Sequence, residues 1–182
     1  MELNNNRIYL IGYMGSGKTT VGRRLAKKLN FQFVDIDHFI ENRQRKTIDE
    51  IFSEKGEDTF RLMEHKALRE ISLFENVIIS TGGGAPCFYN NMEIMNKSGF
   101  TIYLKTSPEE LTKRLRKTKG QRPLLKGKTP EQMQTFITGN LEKRNRYYNQ
   151  ARLVFDAEQM LAKSDVNSIV DGLISYLSQK NK

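Results

Sequence analysis

A chain of 182 residues with 37% apolar and 28% charged side chains is long enough to bury one full core. Its one cysteine, Cys87, excludes an internal disulfide and a cysteine metal cluster and fits a reducing cytoplasm, where a small inert core residue is its commonest role. Residues 1–7 contain no apolar leader core, no apolar run approaches the roughly 18 residues a bilayer requires, and the net charge of +9 is concentrated in residues 113–128, which hold eight basic side chains and no acid.

In chain order, Arg7-Ile8-Tyr9-Leu10-Ile11 is an apolar strand followed by Gly12-Tyr13-Met14-Gly15-Ser16-Gly17-Lys18-Thr19. That octapeptide fits G-x-x-x-x-G-K-[ST], the phosphate-binding loop. Glycines let successive backbone N–H groups turn inward on an anion, and the helix that follows adds its positive N-terminal end. Lys18 then reaches the β- and γ-phosphates, and Thr19 offers a hydroxyl to Mg²⁺. Val21, Leu25 and Leu29 recur at helical spacing after the loop, so the motif sits between a strand and a helix, which a chance glycine-rich turn would not require.

Residues 31–37 read as a second strand ending in two carboxylates, with Asp35 and Asp37 on one side by the period of two. In an open α/β sheet ligands gather at the carboxyl ends of strands. One acid there suits a metal's waters and the other an attacking hydroxyl, although capping the next helix is an equal alternative. Thr47-Ile48-Asp49-Glu50 is a capping box that opens a short helix toward Gly56. A longer helix follows, with Phe60, Met63, Ala67 and Ile71 on its buried face and Arg61 beside that face, three residues before Glu64. Taken alone, Arg61 and Glu64 read as a surface ion pair. His38 and His65 read as surface or cap histidines.

Residues 76–81 form an apolar strand that runs into Gly82-Gly83-Gly84, where a small substrate could lie directly on backbone; a plain flexible turn is the alternative. A helix over 92–95, a strand over 100–104 and a helix capped by Ser107 with Pro108 at its first position come next. The basic run then reads as a mobile phosphate-closing lid, since Gly120, Pro123 and Gly127 interrupt it and no aromatic residue is interleaved to stack bases. Thr129-Pro130-Glu131-Gln132 opens a long helix toward Tyr148 carrying Arg144 and Arg146, whose commoner role is to complement the helix C-terminus. A short strand at Leu153-Val154-Phe155 and an amphipathic helix from Asp165 close the chain. The alternation predicts one α/β domain, a three-layer sandwich with five parallel strands.

Six stretches, in order and over nearly the whole chain, resemble the shikimate kinases: the Gly12 loop, Asp35-Ile36-Asp37, Gly56-Glu57-Asp58-Thr59-Phe60-Arg61 with Glu64, Ser80-Thr81-Gly82-Gly83-Gly84-Ala85, Arg122-Pro123-Leu124-Leu125, and Arg144 with Tyr148. The resemblance implies the nucleoside-monophosphate-kinase-like fold with strand order 2-3-1-4-5, and ATP-dependent phosphorylation of the 3-hydroxyl of shikimate on the route to chorismate and the aromatic amino acids. It implies that Gly12, Gly15, Ser16, Gly17, Lys18, Thr19 and Thr20 hold ATP, with Arg116 stacked on adenine and Arg122 brought in by a lid over about 113–128. Mg²⁺ would rest on Thr19 and, through water, Asp35. Shikimate would be held by Asp37, Arg61, Gly82, Gly83, Gly84 and Arg144, in a region built on the helices of about 37–73. Lys18, Asp37 and Arg122 are the implied catalytic residues, with Asp37 as base.

Two features depart from the family pattern. The spacer from Arg116 to Arg122 is slightly short, and Asp156-Ala157-Glu158-Gln159-Met160 offers no adenine contact. The expected partners are ATP and shikimate, with neither nucleic acid nor membrane, for a monomer in the cytoplasm. The rivals are another phosphate-loop kinase acting on gluconate or a nucleoside monophosphate, and a non-enzymatic nucleotide-dependent nucleic-acid module. Asp37, Arg61, the glycines and Arg144 suit a hydroxylated ring acid better than a nucleobase, which calls for aromatic stacking or amide readout.

Overall fold

The computed structural model describes residues 7–117, 125, 127–158 and 163–180. Five strands, β1 (Arg7–Ile11), β2 (Gln32–Asp35), β3 (Val77–Ser80), β4 (Phe100–Lys105) and β5 (Leu153–Asp156), form one sheet in the order β2-β3-β1-β4-β5, every pair parallel. The sandwich and strand order expected above are those observed. Alternation along β1 makes the layers: Tyr9 and Ile11 point to one face, Ile8 and Leu10 to the other, all fully buried. On the second face lie α1 (Lys18–Leu29) and α7 (Lys163–Lys180). The first face is covered by α2 (Ile36–Gln44), α3 (Ile48–Ile71), α4 (Asn91–Ser98), α5 (Pro108–Lys117) and α6 (Pro130–Tyr148). No helix among the described residues is long and apolar enough to cross a membrane.

Local signals decide where the helices begin. Both capping boxes form: Thr47 with Glu50 opens α3, and Thr129 with Gln132 opens α6 with Pro130 at its first position. Ser107 Oγ accepts from the Glu110 N–H at the start of α5. The short helix and the longer one expected on either side of Gly56 both form: α3 is two helices joined across a kink at Gly56, which takes φ 76° and ψ 171°.

The second strand is shorter than its apolar pattern suggests. β2 stops at Asp35, opposite Ser80, because β3 itself ends there and offers no further ladder partner. Ile36 and Ile40, four apart and both buried, turn the next residues into helix, so Asp37 stands in the first turn of α2 and not on the strand. The period-of-two reading of Asp35 and Asp37 is therefore corrected, although both remain at the carboxyl end of the sheet. The basic run is divided too: 113–117 are the last turn of α5, while Arg122, Gly120 and Pro123 lie outside the described residues.

Candidate active site

The loop after β1 closes on itself. Gly12 and Gly17 take φ 140° and 90°, conformations that L side chains rarely adopt. Lys18 is 8% exposed and donates from Nζ to the carbonyls of Gly12 (2.8 Å) and Tyr13 (2.9 Å), so its ammonium is drawn back over the loop. The Ser16 hydroxyl is buried in the same loop with no hydrogen-bond partner among the described residues. Gly15 packs on Leu115 of α5, which joins the loop to the base of the basic run. Thr20 and Arg116 are both exposed, one in the first turn of α1 and the other in the last turn of α5.

Thr19 Oγ1 donates to Asp35 Oδ2 at 2.8 Å, so the two residues expected at a metal are brought together beside the loop. A hydroxyl and a carboxylate are hard oxygen donors, the set that Mg²⁺ accepts when phosphate and water complete an octahedron. Among the described residues no group of three or more His, Cys, Asp or Glu could hold a metal ion.

The three glycines after β3 each face a different one of the charged side chains singled out above at close range. A Cβ on Gly82 would stand 2.3 Å from Glu64 Oε1 and 3.0 Å from Asp37 Oδ1. On Gly84 it would meet the Arg61 guanidinium at 2.7 Å. On Gly83 it would lie 3.2 Å from the Met14 N, 3.5 Å from the Gly12 carbonyl oxygen and 3.6 Å from Arg144 Nη1. Asp37, Arg61 and Arg144 thus converge on one backbone stretch, which itself touches the phosphate loop.

Neither arginine occupies the ordinary role that its local sequence suggests. Arg61 is nearly buried, with its guanidinium 4.3 Å from the Phe88 ring centroid and also close to Phe52 and Phe60. It donates from Nη2 to Glu57 at 2.8 Å and from Nη1 to Glu64 at 3.3 Å. Arg144 donates from Nη1 to the Gly83 carbonyl at 3.2 Å and lies 5.2 Å from the centroid of the Tyr13 ring. Arg146, by contrast, is exposed and pairs with Tyr147, so the helix-terminus role fits that arginine alone.

Several contributors depend on tertiary packing that no local pattern reports. Phe88 and Tyr13 carry the arginines, and Glu64 is wholly buried. His65 is not a surface residue: half-buried, it meets Asn91 Oδ1 at 2.7 Å and stacks on Tyr89. Cys87 is half-buried near Arg144 and Arg61, and burial pushes its thiol up to about 11, which keeps it protonated and unreactive at neutral pH.

Burial also pushes the Glu64 carboxyl up to about 7; Arg61 opposes the shift and Asp37 adds to it. The folded chain therefore keeps a proton that the unfolded chain releases near its ordinary value of 4.5. This contribution to stability is complete below about pH 4.5 and is lost as pH rises through about 7, in all about 3 kcal/mol. Urea unfolding between pH 5 and 8 is expected to show that decline in the wild type and a flatter profile in Glu64→Gln. Equal slopes would mean that the carboxyl titrates as in water.

A family model described as shikimate kinase matches residues 14–174. A shikimate kinase of Parabacteroides distasonis is 53% identical over 171 residues, which cover 94% of this chain and 99% of that one. Among solved structures, a shikimate kinase from Bacteroides thetaiotaomicron matches with a TM-score of 0.92 at 49% identity, covering 94% of this chain and 98% of that one. A shikimate kinase from Acinetobacter baumannii in complex with shikimate matches with a TM-score of 0.82 at 36% identity, covering 97% of this chain and 95% of that one.

Proposed function

The chain belongs to the shikimate kinase family, and on that premise we propose that it transfers the γ-phosphoryl group of ATP to the 3-hydroxyl of shikimate, giving shikimate 3-phosphate and ADP. The observation that carries this reading is the position of Gly83, within van der Waals reach of both the phosphate loop and Arg144. An acceptor lying on these glycines is close enough to the loop for direct, in-line transfer.

In this reading the amides of Gly12, Gly15, Ser16 and Gly17 cradle the phosphates, with Thr20 at the start of the helix. Lys18 exchanges its carbonyl partners for phosphate oxygens. Arg61 and Arg144 bind the carboxylate, because a planar guanidinium offers paired N–H donors to two oxygens. Gly82, Gly83 and Gly84 lie against the ring, where any side chain would occupy the space. Asp37 accepts hydrogen bonds from the ring hydroxyls and takes the proton of the attacking one. Thr19 and Asp35 fit Mg²⁺, which when bound supplies charge neutralisation on the phosphates. Arg116 is assigned to adenine and Arg122 to the bridge between phosphate and acceptor, on the resemblance alone. A lid carrying Arg122 would also keep water from the phosphoryl group.

We assign the chain to the cytoplasm, which its single cysteine supports. We also assign it neither a nucleic-acid nor a membrane partner and a monomeric state, the last to be measured by sedimentation. The deciding experiment measures ADP release with shikimate, quinate, gluconate and CMP in parallel. Shikimate is expected to lead in kcat/KM by about 100-fold or more, since a site of buried polar groups rejects an acceptor that leaves them unpaired. A preference for gluconate or CMP would overturn the assignment.

A further inference from the structure

The Gly83 carbonyl accepts two hydrogen bonds, both from α6. One comes from Arg144 Nη1 at 3.2 Å and the other from the hydroxyl of Tyr148, four residues on along the same helix face. Tyr148 is fully buried, and a buried phenol needs a partner for its O–H. Burial holds its pKa above the usual range, so the hydroxyl is a donor at any pH near neutral.

The ring itself is fixed. It packs on Tyr103 of β4 with centroids 4.9 Å apart at 40°, and Tyr103 in turn donates to Asn145 Oδ1 at 3.2 Å. Tyr103 also borders Gly12, 3.5 Å from where its Cβ would stand, so the tyrosine pair ties α6 to the strand beneath the phosphate loop.

We infer that Tyr148 is a positioning residue for the acceptor: its hydroxyl fixes the Gly83 peptide, so that Arg144 meets the acceptor carboxylate in one orientation. The inference rests on the carboxylate-binding role proposed above for Arg144. A carbonyl has two lone pairs, here divided between phenol and guanidinium. One N–H on Gly83 and the Tyr13 ring beside it set the guanidinium plane, which aims the remaining donors of the fork at a carboxylate. Without the phenol, the half-buried carbonyl keeps Arg144 as its remaining described donor and competes with the carboxylate for it.

Tyr148→Phe is expected to raise the shikimate KM about fivefold to tenfold, the worth of one hydrogen bond, while the KM for ATP stays put and kcat changes less than about threefold. In an Arg144→Ala background the same substitution should add nothing further, because it acts through that guanidinium. Tyr103→Phe, which removes the hydroxyl of the stacked ring and leaves Gly83 untouched, should keep the wild-type KM. If Tyr148→Phe does not fold, Tyr148→Leu, which likewise carries no donor for the Gly83 carbonyl, is measured in both backgrounds by the same criterion. A wild-type KM in the Tyr148 variant, or an equal rise in both backgrounds, overturns the inference. A wild-type protein that does not phosphorylate shikimate overturns the function instead.

Discussion

Replacing Lys18 with Ala is expected to lower kcat by about 10²- to 10³-fold, the range for removing one preorganised charge donor from a developing anion. Lys18 is 8% exposed and held on the Gly12 and Tyr13 carbonyls, so its ammonium already stands at the loop and turns from those oxygens to phosphate when nucleotide binds. Negative charge shifts among phosphate oxygens as the γ-phosphoryl group leaves, and an ammonium at the loop mouth meets that charge better in the transition state than in the ground state. The loss should therefore fall mainly on kcat, with a smaller change in the KM for ATP and none in that for shikimate. The two loop carbonyls lose their donor in the variant, so a thermal melt is run beside the kinetics. Activity within tenfold of wild type in a fully folded variant would remove Lys18 from the chemistry.

Much of this arrangement could be read from local pattern. The strand, glycine loop and helix of residues 7–29 each obey a short-range rule, and so do the capping boxes at Thr47 and Thr129; all form where expected. Strand order has no such local signal, since periodicity does not say which strands are neighbours; it came with the family resemblance. Asp37 falls inside the strand pattern but stands in helix, because an apolar run cannot report where its partner strand ends. Glu64 and Arg61 read as a surface pair because an i, i+3 spacing is the same in water and in a core. Their burial is created by Gly82 and Gly84, which lie far along the chain and admit the two side chains only by lacking their own.

That dependence makes Gly82→Ala the most disruptive single methyl expected at the acceptor pocket. The new Cβ would lie 2.3 Å from Glu64 Oε1 and 3.0 Å from Asp37 Oδ1, well inside contact distance for the first. Gly82 is not among the glycines with positive φ, so the obstacle is steric crowding and not backbone conformation. Glu64 has no easy escape, being wholly buried and bonded to Arg61, so its displacement carries the arginine with it. Asp37 is pressed from the same side, and in the role proposed for it a shift of about 1 Å is enough to cost about 100-fold in kcat/KM for shikimate. Binding of ADP, followed by calorimetry, should be unchanged because the phosphate loop is untouched. Gly139→Ala is the control: nothing lies within 4 Å of that position in the middle of α6, and alanine there should stabilise the helix by up to about 1 kcal/mol. Shortening the obstructed side chain in the same protein, as Gly82→Ala with Glu64→Asp, should recover part of the lost activity. If Gly82→Ala alone turned over shikimate like the wild type, the ring could not lie against these glycines and the pocket would have to be sought elsewhere at the sheet end.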